Sequence, residues 1–302
     1  MGRETGSKHT IETAIQVDVV IPAYGERADA LDATLAACVK QTHPVARIFV
    51  VDDGSPTPIV LPEWAAELTR DAAPALEADR PQIVLARLTQ NAGISAARNA
   101  AIARSHAELV ACVNVEVLPA TDWLRTCVAY LADKPTVGVV YTRTVPKRPD
   151  RLLTRWRMRF QEPAHAEVSG PALFAHGHAV LFRKAALDTV GGYDVRFRRH
   201  HEDSDICRRM AEAGWATHYI AESACVSIQG DSLQELAKKQ LRDSGWYSPQ
   251  ESSLARLYGS LTKWTAVRAG RNFVTGRWYF LPVDVAIWWC ALWQATRATL
   301  RR

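Results

Sequence analysis

The chain has 302 residues, of which 48% are hydrophobic and 23% charged, so its composition excludes a disordered chain and allows one large α/β core with an appendage. The net charge of +5 is unevenly placed: residues 251–302 carry eight Arg or Lys against two acidic residues, and the rest sums to −1. Five of the ten tryptophans lie in the same segment. Because Trp with Arg is typical of membrane–water interfaces, we expect this segment to contact a membrane and expect no nucleic-acid partner.

The cysteines and the N-terminal sequence indicate the cellular compartment in which the protein is expected to work. The six cysteines include no Cys-x-x-Cys pair, which favours reduced, buried thiols. No apolar run precedes Val17, so residues 1–14 are expected to form a flexible N-terminus without a secretory signal. We therefore expect a cytoplasmic protein that is peripheral to the inner face of the cell membrane.

Short β-branched runs alternate with amphipathic stretches from Val17 onward, which is the pattern of βαβ units and of a largely parallel sheet. Strands are predicted at 17–21, 47–51, 82–86, 109–113 and 177–183, and helices at 31–39, 94–105, 184–190 and 203–213. After residue 231 the pattern is almost wholly helical. The chain is thus expected to comprise an α/β domain at 15–232 and a helical, basic, Trp-rich extension at 233–302.

Two segments have the composition of surface helices. Residues 148–160 form a basic amphipathic stretch, interpreted as a candidate flap. The apolar segment 278–293 contains Pro282 and Asp284 and is shorter than the roughly 20 apolar residues that a spanning helix needs. We expect it to lie in the membrane interface, and the alternative is a helix pair that packs its tryptophans on its own core.

Polar clusters follow the predicted strands. They are Pro22-Ala-Tyr-Gly-Glu26, Asp52-Asp-Gly-Ser55, Asn91-Ala-Gly-Ile-Ser-Ala-Ala-Arg-Asn99 and Asn114-Val-Glu116. In open α/β sheets, ligands bind beyond the carboxyl ends of the strands, so these clusters are expected to meet at one edge. A carboxylate there can accept the imide N–H of a pyrimidine, and an Arg can neutralise a phosphate. Together they predict a nucleotide pocket, although each alone is also typical of a turn or a helix cap.

These clusters, followed by Gly191-Gly-Tyr-Asp194 and His201-Glu-Asp-Ser-Asp205, resemble the family 2 glycosyltransferases in order and spacing, from about residue 17 to residue 232. The resemblance implies a GT-A fold, the nucleotide-diphospho-sugar transferase fold, with a mostly parallel central sheet flanked by helices. It also implies inverting transfer of a sugar from a UDP- or dTDP-sugar to a hydroxyl. The basic tail favours a lipid-linked or cell-surface glycan precursor as the acceptor.

The resemblance also implies roles for individual residues. Asp203 is the expected catalytic base, because an attacking sugar hydroxyl must lose a proton and one carboxylate suffices for a single displacement. Taken alone, Glu202 and Asp203 are also typical of the acidic first turn of a helix. The expected donor-binding residues are Pro22, Ala23, Tyr24, Glu26, Asp53, Asn91, Arg98 and Asn114, and the expected acceptor-binding residues are Gly177, His178 and Glu202.

The metal motif departs from the family pattern. Asn114-Val-Glu116 stands where an Asp-x-Asp usually holds a divalent metal. Glu116 is expected to ligate Mg²⁺ or Mn²⁺ through oxygen, and the neutral Asn114 to bind the ribose. Gln229 replaces a His that often assists the metal, so we expect weak metal affinity or cationic substitution at the diphosphate. The candidates for that substitution are Arg143, Lys147 and Arg148.

Three other interpretations remain. His176, His178 and the His200-His201 pair could suggest a metallohydrolase, but no further ligand motif accompanies them. A catalytically weakened protein that serves as a binding or scaffold subunit would fit the altered metal motif. A sugar-phosphate nucleotidyltransferase shares the βαβ architecture, but it would need a Gly-rich phosphate loop after the first strand.

Overall fold

The computed structural model describes residues 15–25, 27–69, 80–161, 167–198, 200–243 and 254–300. The predictions for residues 1–14 and for Glu26 lie outside these residues. The chain divides into two compact units. We call residues 1–147 and 165–228 the sheet unit, and residues 148–164 and 229–302 the helical unit. The basic stretch at 148–160 thus groups with the C-terminal helices.

The described strands of the sheet unit form one mixed sheet in the order β3-β2-β1-β4-β8-β6-β9-β5, with β7 paired to β9. Strands β1 to β4 run parallel, whereas β8 lies antiparallel between β4 and β6. The strands are β1 (Val17–Ala23), β2 (Arg47–Asp52), β3 (Gln82–Arg87), β4 (Leu109–Val113), β5 (Val117–Pro119), β6 (Val137–Pro146), β7 (Gly170–Ala172), β8 (Ala179–Arg183) and β9 (Ala216–Ser227).

Helices cover the sheet and build the helical unit. Those of the sheet unit are α1 (Ala28–Val39), α2 (Glu63–Ala66), α3 (Ile94–Ile102), α4 (Trp123–Leu131), α6 (Lys184–Thr189) and α7 (Glu202–Glu212). Those of the helical unit are α5 (Leu152–Phe160), α8 (Leu233–Asp243), α9 (Leu254–Val274) and α10 (Leu281–Leu300). Among the described residues, no helix is both long enough and apolar enough to cross a membrane.

The central strands are mostly apolar and buried because both faces of the sheet are covered. All seven residues of β1 are buried. Since side chains alternate across a strand, Val19 and Ile21 join one hydrophobic cluster and Val20 joins the other. Trp123 of α4 packs in the first cluster, and Ala97 of α3 packs in the second.

The structure confirms each strand and helix predicted from the sequence, with ends that differ by a few residues. It confirms the α/β class, the GT-A architecture and the helical C-terminal region. Strands β5, β6, β7 and β9 were not predicted. The sequence of β9, ATHYIAESACVS, mixes His, Glu, Ser and Thr with its apolar residues and therefore lacks a continuous apolar run.

The helical unit has its own core with a buried polar centre. Trp156 of α5 is fully buried and donates from Nε1 to Asp284 Oδ1 at 2.9 Å. Asn272 and Arg268 also donate to the Asp284 carboxylate, which is itself fully buried. Asp284 therefore joins three helices, and α5 is anchored in this core through Trp156. The candidate-flap interpretation of 148–160 gains no support from this packing.

Candidate functional site

The first two polar clusters lie side by side at the carboxyl ends of β1 and β2. Ala23 is in register with Asp52, and the Asp53 N–H donates to the Ala23 carbonyl at 2.9 Å. Beyond them, the Gly25 N–H donates to Ser55 Oγ at 2.9 Å. The tight parallel register thus places the predicted nucleoside residues Pro22, Ala23 and Tyr24 beside the Asp53 loop, with Pro22 and Ala23 buried and Tyr24 exposed.

Asp53 links this edge to the third cluster. Its two carboxylate oxygens accept the N–H groups of Ala92 and Gly93 at 2.7 and 2.8 Å. The approach is close: a Cβ on Gly54, which has φ +67°, would lie 2.4 Å from the Gln90 backbone. Only glycine fits this position without displacing the neighbouring chain. The Asp-Gly-Ser sequence is therefore a turn that also holds the loop before α3.

Asp52 has a separate, structural role that sequence analysis missed. Its carboxylate accepts the N–H groups of Ser55 and Ile59 and forms an ion pair with Arg87. Although burial opposes ionisation, these hydrogen bonds lower the pKa of Asp52. The signal was present in the sequence, because Arg87 ends β3 directly opposite Asp52 in the parallel register.

Arg98 of α3 lies at the centre of the site and is fully buried. Its Nη1 donates to Asp203 Oδ1 at 3.1 Å and lies 3.4 Å from Glu202 Oε1. Its Nη2 donates to Asn114 Oδ1 at 3.0 Å and to the Gly177 carbonyl at 3.1 Å. The guanidinium thus links three of the predicted motifs and Gly177, and both terminal nitrogens are used within the protein.

Asp203 is the partly exposed member of this network. Its side chain is 28% exposed, whereas that of Arg98 is fully buried. Besides the Arg98 contact, Asp203 Oδ2 accepts the Gly177 N–H at 3.1 Å. A Cβ on Gly177 would lie 2.2 Å from both carboxylate oxygens, so glycine is required for this contact. One oxygen is therefore fixed by a cation and the other by a backbone donor.

Glu202 begins α7 and is buried next to Asp203. Burial raises the pKa of Glu202 above its ordinary value, and the neighbouring Asp203 carboxylate raises it further, while Arg98 acts in the opposite direction. His201, which precedes the helix, has φ +71°, a backbone conformation that is uncommon for a residue other than glycine. The two adjacent acids thus differ in environment, one buried and one reaching solvent.

A second pair of contacts joins α3 to the Gly-Gly-Tyr segment. Asn99 Oδ1 accepts the Tyr193 N–H at 2.9 Å, and Asn99 Nδ2 donates to the Tyr193 carbonyl at 2.7 Å. A Cβ on Gly192 would lie 2.6 Å from Asn99 Oδ1. Tyr193 also packs its ring against the Arg98 guanidinium, with 4.9 Å between the guanidinium carbon and the ring centroid. Arg98 and Asn99, the last two residues of the motif at 91–99, therefore hold Tyr193 of the Gly-Gly-Tyr-Asp motif in place.

The other predicted residues lie around this network. The Asn114 N–H donates to the His178 carbonyl at 2.9 Å, and the side chain of His178 is exposed. Gly177 and Glu202 are buried, and their polar groups contact Asp203 and Arg98. Asn91 is half-buried, and its main-chain and side-chain oxygens accept hydrogen bonds from Arg198, a contact that sequence analysis did not predict.

Asn114 and Glu116 lie in the turn between β4 and β5. Glu116 has φ +70°, and its N–H donates to Thr34 Oγ1 at 3.0 Å. Because arginine has only donors, the Asn114 oxygen must face Arg98. Glu116 is the one carboxylate among residues 114–116. No group of three or more His, Cys, Asp or Glu that could hold a metal is found in the described parts of the chain. This turn can therefore offer a cation at most one carboxylate ligand, that of Glu116.

Comparisons with known proteins agree on the family. The profile of Glycosyl transferase family 2 matches residues 18–191, and that of Glycosyl transferase family group 2 matches residues 110–300. An N-acetylglucosaminyltransferase of Rhizobium meliloti (strain 1021) is 28% identical over 240 residues, which are 75% of this chain and 54% of the relative. The chain spans about half the length of the rhizobial relatives that it matches.

Solved structures agree on the fold. GalNAc-T7 with UDP, GalNAc and Mn²⁺ has a TM-score of 0.54 at 16% identity, over 77% of this chain and 50% of that one. The mannosyltransferase PcManGT from Pyrobaculum calidifontis, in complex with GDP-Man and Mn²⁺, has a TM-score of 0.51 at 21% identity, over 94% and 79%. Because the first family profile covers more than half of the chain, the chain belongs to glycosyl transferase family 2 and has the GT-A fold.

Proposed function

We propose that the protein is an inverting glycosyltransferase that moves a sugar from a UDP- or dTDP-sugar to a hydroxyl acceptor, with Asp203 as the catalytic base. One observation carries the proposal: Asp203 is the partly exposed carboxylate of a buried network that also contains Arg98 and Asn114 of the nucleotide motifs. The relatives named N-acetylglucosaminyltransferase support sugar transfer as the reaction class.

The chemistry requires little beyond this carboxylate. The acceptor oxygen forms a bond to the anomeric carbon while the bond from that carbon to the diphosphate breaks, and the electron pair leaves with the nucleoside diphosphate. The acceptor proton passes to Asp203. Each Asp203 oxygen accepts one hydrogen bond within the protein and keeps acceptor capacity for a substrate hydroxyl. A single displacement inverts the anomeric centre.

The donor pocket is proposed at the carboxyl ends of β1, β2 and β4. Asp53 holds the loop before α3, and each of its oxygens can accept a second hydrogen bond, so contact with a pyrimidine imide is compatible with its loop contacts. Pro22, Ala23, Tyr24 and Asn91 border the same edge. On the acceptor side, we assign the substrate contact to the exposed His178, and we assign Gly177 and Glu202 to holding Asp203 and Arg98.

The experiment that tests the function has a binding arm and a turnover arm. Calorimetric titration with UDP, dTDP and GDP measures base preference, and we expect UDP or dTDP to bind more tightly than GDP. Release of nucleoside diphosphate is then measured with UDP- and dTDP-sugars and with octyl glycosides as acceptors. Absence of binding for all three nucleotides would refute the donor assignment. Release that stays unchanged in Asp203→Asn would refute the base assignment.

We propose Mg²⁺ or Mn²⁺ as a weakly held cofactor with Glu116 as its protein ligand. Magnesium sites commonly use one or two carboxylates together with substrate phosphates, so the donor diphosphate would supply the remaining oxygens. When bound, the ion would neutralise charge on the leaving diphosphate. The Mn²⁺ complexes of GalNAc-T7 and PcManGT support a divalent ion in this fold.

Substitutions in the turn test this cofactor. Mn²⁺ should tighten UDP binding by wild type, should have no effect in Glu116→Gln, and should have a larger effect in Asn114→Asp, which adds an anionic oxygen ligand. Arg47→Lys, at the opposite end of β1 and β2, is the control and should respond to Mn²⁺ as wild type does. A full Mn²⁺ effect in Glu116→Gln would refute Glu116 as the ligand.

Membrane contact is proposed through an exposed stripe on α10. Val285, Trp289, Trp293 and Arg297 recur every fourth residue and therefore share one face of the helix. Trp289 and Trp293 are 65% and 63% exposed, and the Arg297 guanidinium lies 5.5 Å from the Trp293 ring centroid. Aromatic rings beside a cation are suited to the headgroup region of a bilayer.

The exposed charges of helices α5, α9 and α10 indicate which lipids the protein would bind. Helices α5, α9 and α10 contain one acidic residue, Asp284, and it is buried. By contrast, Arg155, Lys263 and Arg297 are exposed. The exposed charges on these helices are therefore cationic, which favours anionic lipid by about 1 kcal/mol for each well-placed cation.

Vesicle flotation tests the lipid contact. Wild type should float with vesicles of phosphatidylglycerol and phosphatidylcholine at low salt, and less with pure phosphatidylcholine or at high salt. Trp289→Ser/Trp293→Ser should lose most of this binding. Leu173→Ser, which alters an exposed apolar residue of the sheet unit, should bind as wild type does. Equal flotation of the double variant and wild type would contradict the assignment.

A further inference from the structure

Arg98 has an unusual place for a cation of a nucleotide motif. It is fully buried, and its two terminal nitrogens make four contacts within the protein. The remaining donor, Nε, has no hydrogen-bond partner among the described residues but is buried as well, so a phosphate could reach the guanidinium only if it moved away from Asp203 or Asn114. Either change would leave a polar group of the site without its donor. The packing therefore disfavours Arg98 as a phosphate ligand.

We propose that Arg98 is a positioning residue that sets the Asp203 carboxylate and the Asn114 amide relative to each other. This inference rests on the proposed function of Asp203. Nη1 holds Asp203, Nη2 holds Asn114, and the planar guanidinium fixes the two directions at once. A lysine ammonium is a compact charge without this planar geometry. Lysine at position 98 would therefore preserve the net charge but would not orient Asp203 and Asn114 relative to each other.

The orientation of Asn114 follows from the same contact. Its oxygen accepts from Arg98, so its amide N–H groups are the part that remains for a ligand. Asn114 therefore presents hydrogen-bond donors, which suit oxygens of a ribose or a phosphate and not a metal ion. An aspartate at this position would place a third carboxylate around Arg98, beside Glu202 and Asp203. The asparagine limits negative charge in a buried network.

A double-mutant cycle tests the positioning role. Arg98→Lys should lower kcat by about 10- to 100-fold, because a displacement of about 1 Å in a catalytic group can cost that much. If Arg98 acts through Asp203, the same substitution should have little effect on kcat in an Asp203→Asn background. An equal fold-loss in both backgrounds would show a general structural effect and would overturn the proposal.

UDP affinity separates positioning from phosphate binding. Arg98→Lys should weaken UDP binding no more than Asn114→Ala does, and the double variant should bind UDP as Asn114→Ala does. A larger and additive loss of UDP affinity would identify Arg98 as a phosphate ligand and refute the inference. Wild-type kcat in Asp203→Asn would instead refute the proposed function, so the two failures are distinguishable.

Two further variants control for a loss of kcat that is caused by misfolding. Arg47→Lys makes the same change in the Arg47–Asp18 ion pair, whose Asp18 is also fully buried, and it should keep wild-type kcat. Arg98→Gln/Glu202→Gln replaces the Arg98–Glu202 ion pair by two neutral amides, so it removes one positive and one negative charge together, while Asp203 keeps the Gly177 N–H as a donor. It should show the same loss of kcat as Arg98→Lys while remaining folded, and wild-type kcat in this variant would also overturn the proposal.

Discussion

Gly177→Ala gives a sharp perturbation of the proposed base. The new Cβ would lie 2.2 Å from both Asp203 carboxylate oxygens and 2.4 Å from its Cγ, against ordinary contact distances of 3.4–4 Å. Gly177 does not have a positive φ, so alanine is compatible with the backbone, and the three atoms nearest the new Cβ all belong to Asp203. The carboxylate must therefore move by about 1 Å, which would lengthen its contacts with Arg98 and the Gly177 N–H.

We expect Gly177→Ala to lower kcat. A displacement of about 1 Å is sufficient for a loss of about 100-fold, which corresponds to about 2.7 kcal/mol of transition-state stabilisation. Release of nucleoside diphosphate measures kcat, and UDP titration measures donor affinity, which should change little because Asp53 and its loop are untouched. Gly170→Ala, where a Cβ meets nothing within 4 Å, is the matched control. Wild-type kcat in Gly177→Ala would refute the reasoning.

Two predictions concern stability. Because the pKa of Glu202 is raised in the folded protein, its protonated form stabilises the fold at acid pH, and that contribution is lost as pH rises through the folded pKa. Glu202→Gln should therefore lose less free energy of unfolding than wild type between about pH 4 and about pH 8, as measured by urea denaturation. Parallel pH profiles would contradict the assigned environment. Asp284→Ala should lower the free energy of unfolding by about 3–5 kcal/mol, because Trp156, Arg268 and Asn272 lose a buried acceptor. A loss below about 1 kcal/mol in the same assay would show that Asp284 does not hold the helical unit together.

The parts of the fold that could be predicted depend on local patterns. Strand β1 is buried on both faces, so its run VDVVIPA, apolar except for Asp18, is visible in the sequence. Strand β9 was missed because its burial alternates irregularly and its residues are mixed in polarity. The antiparallel insertion of β8 between β4 and β6 depends on contacts between distant segments, which periodicity does not encode.

The site shows the same division between local and distant information. Motif spacing singled out Asp53, Arg98 and Asp203 as candidates, but not their partners. The contact between Arg98 and Asp203 joins residues 105 positions apart, so it depends on how α3 and the start of α7 are placed by the folded sheet unit. Sequence reasoning therefore assigned Arg98 to the donor, whereas the structure surrounds it with protein groups. The partner of Asp52 was more accessible, because parallel register places Arg87 opposite it.

The most direct test of the account is the turnover of Asp203→Asn together with its affinity for the donor nucleotide. The substitution keeps the shape of the side chain and an oxygen that can accept from Arg98, but it removes the base. Nucleoside diphosphate release should fall by about 100-fold or more, since a positioned general base contributes about 10²- to 10⁴-fold. UDP or dTDP affinity should stay close to that of wild type. Full turnover in this variant would contradict the central claim.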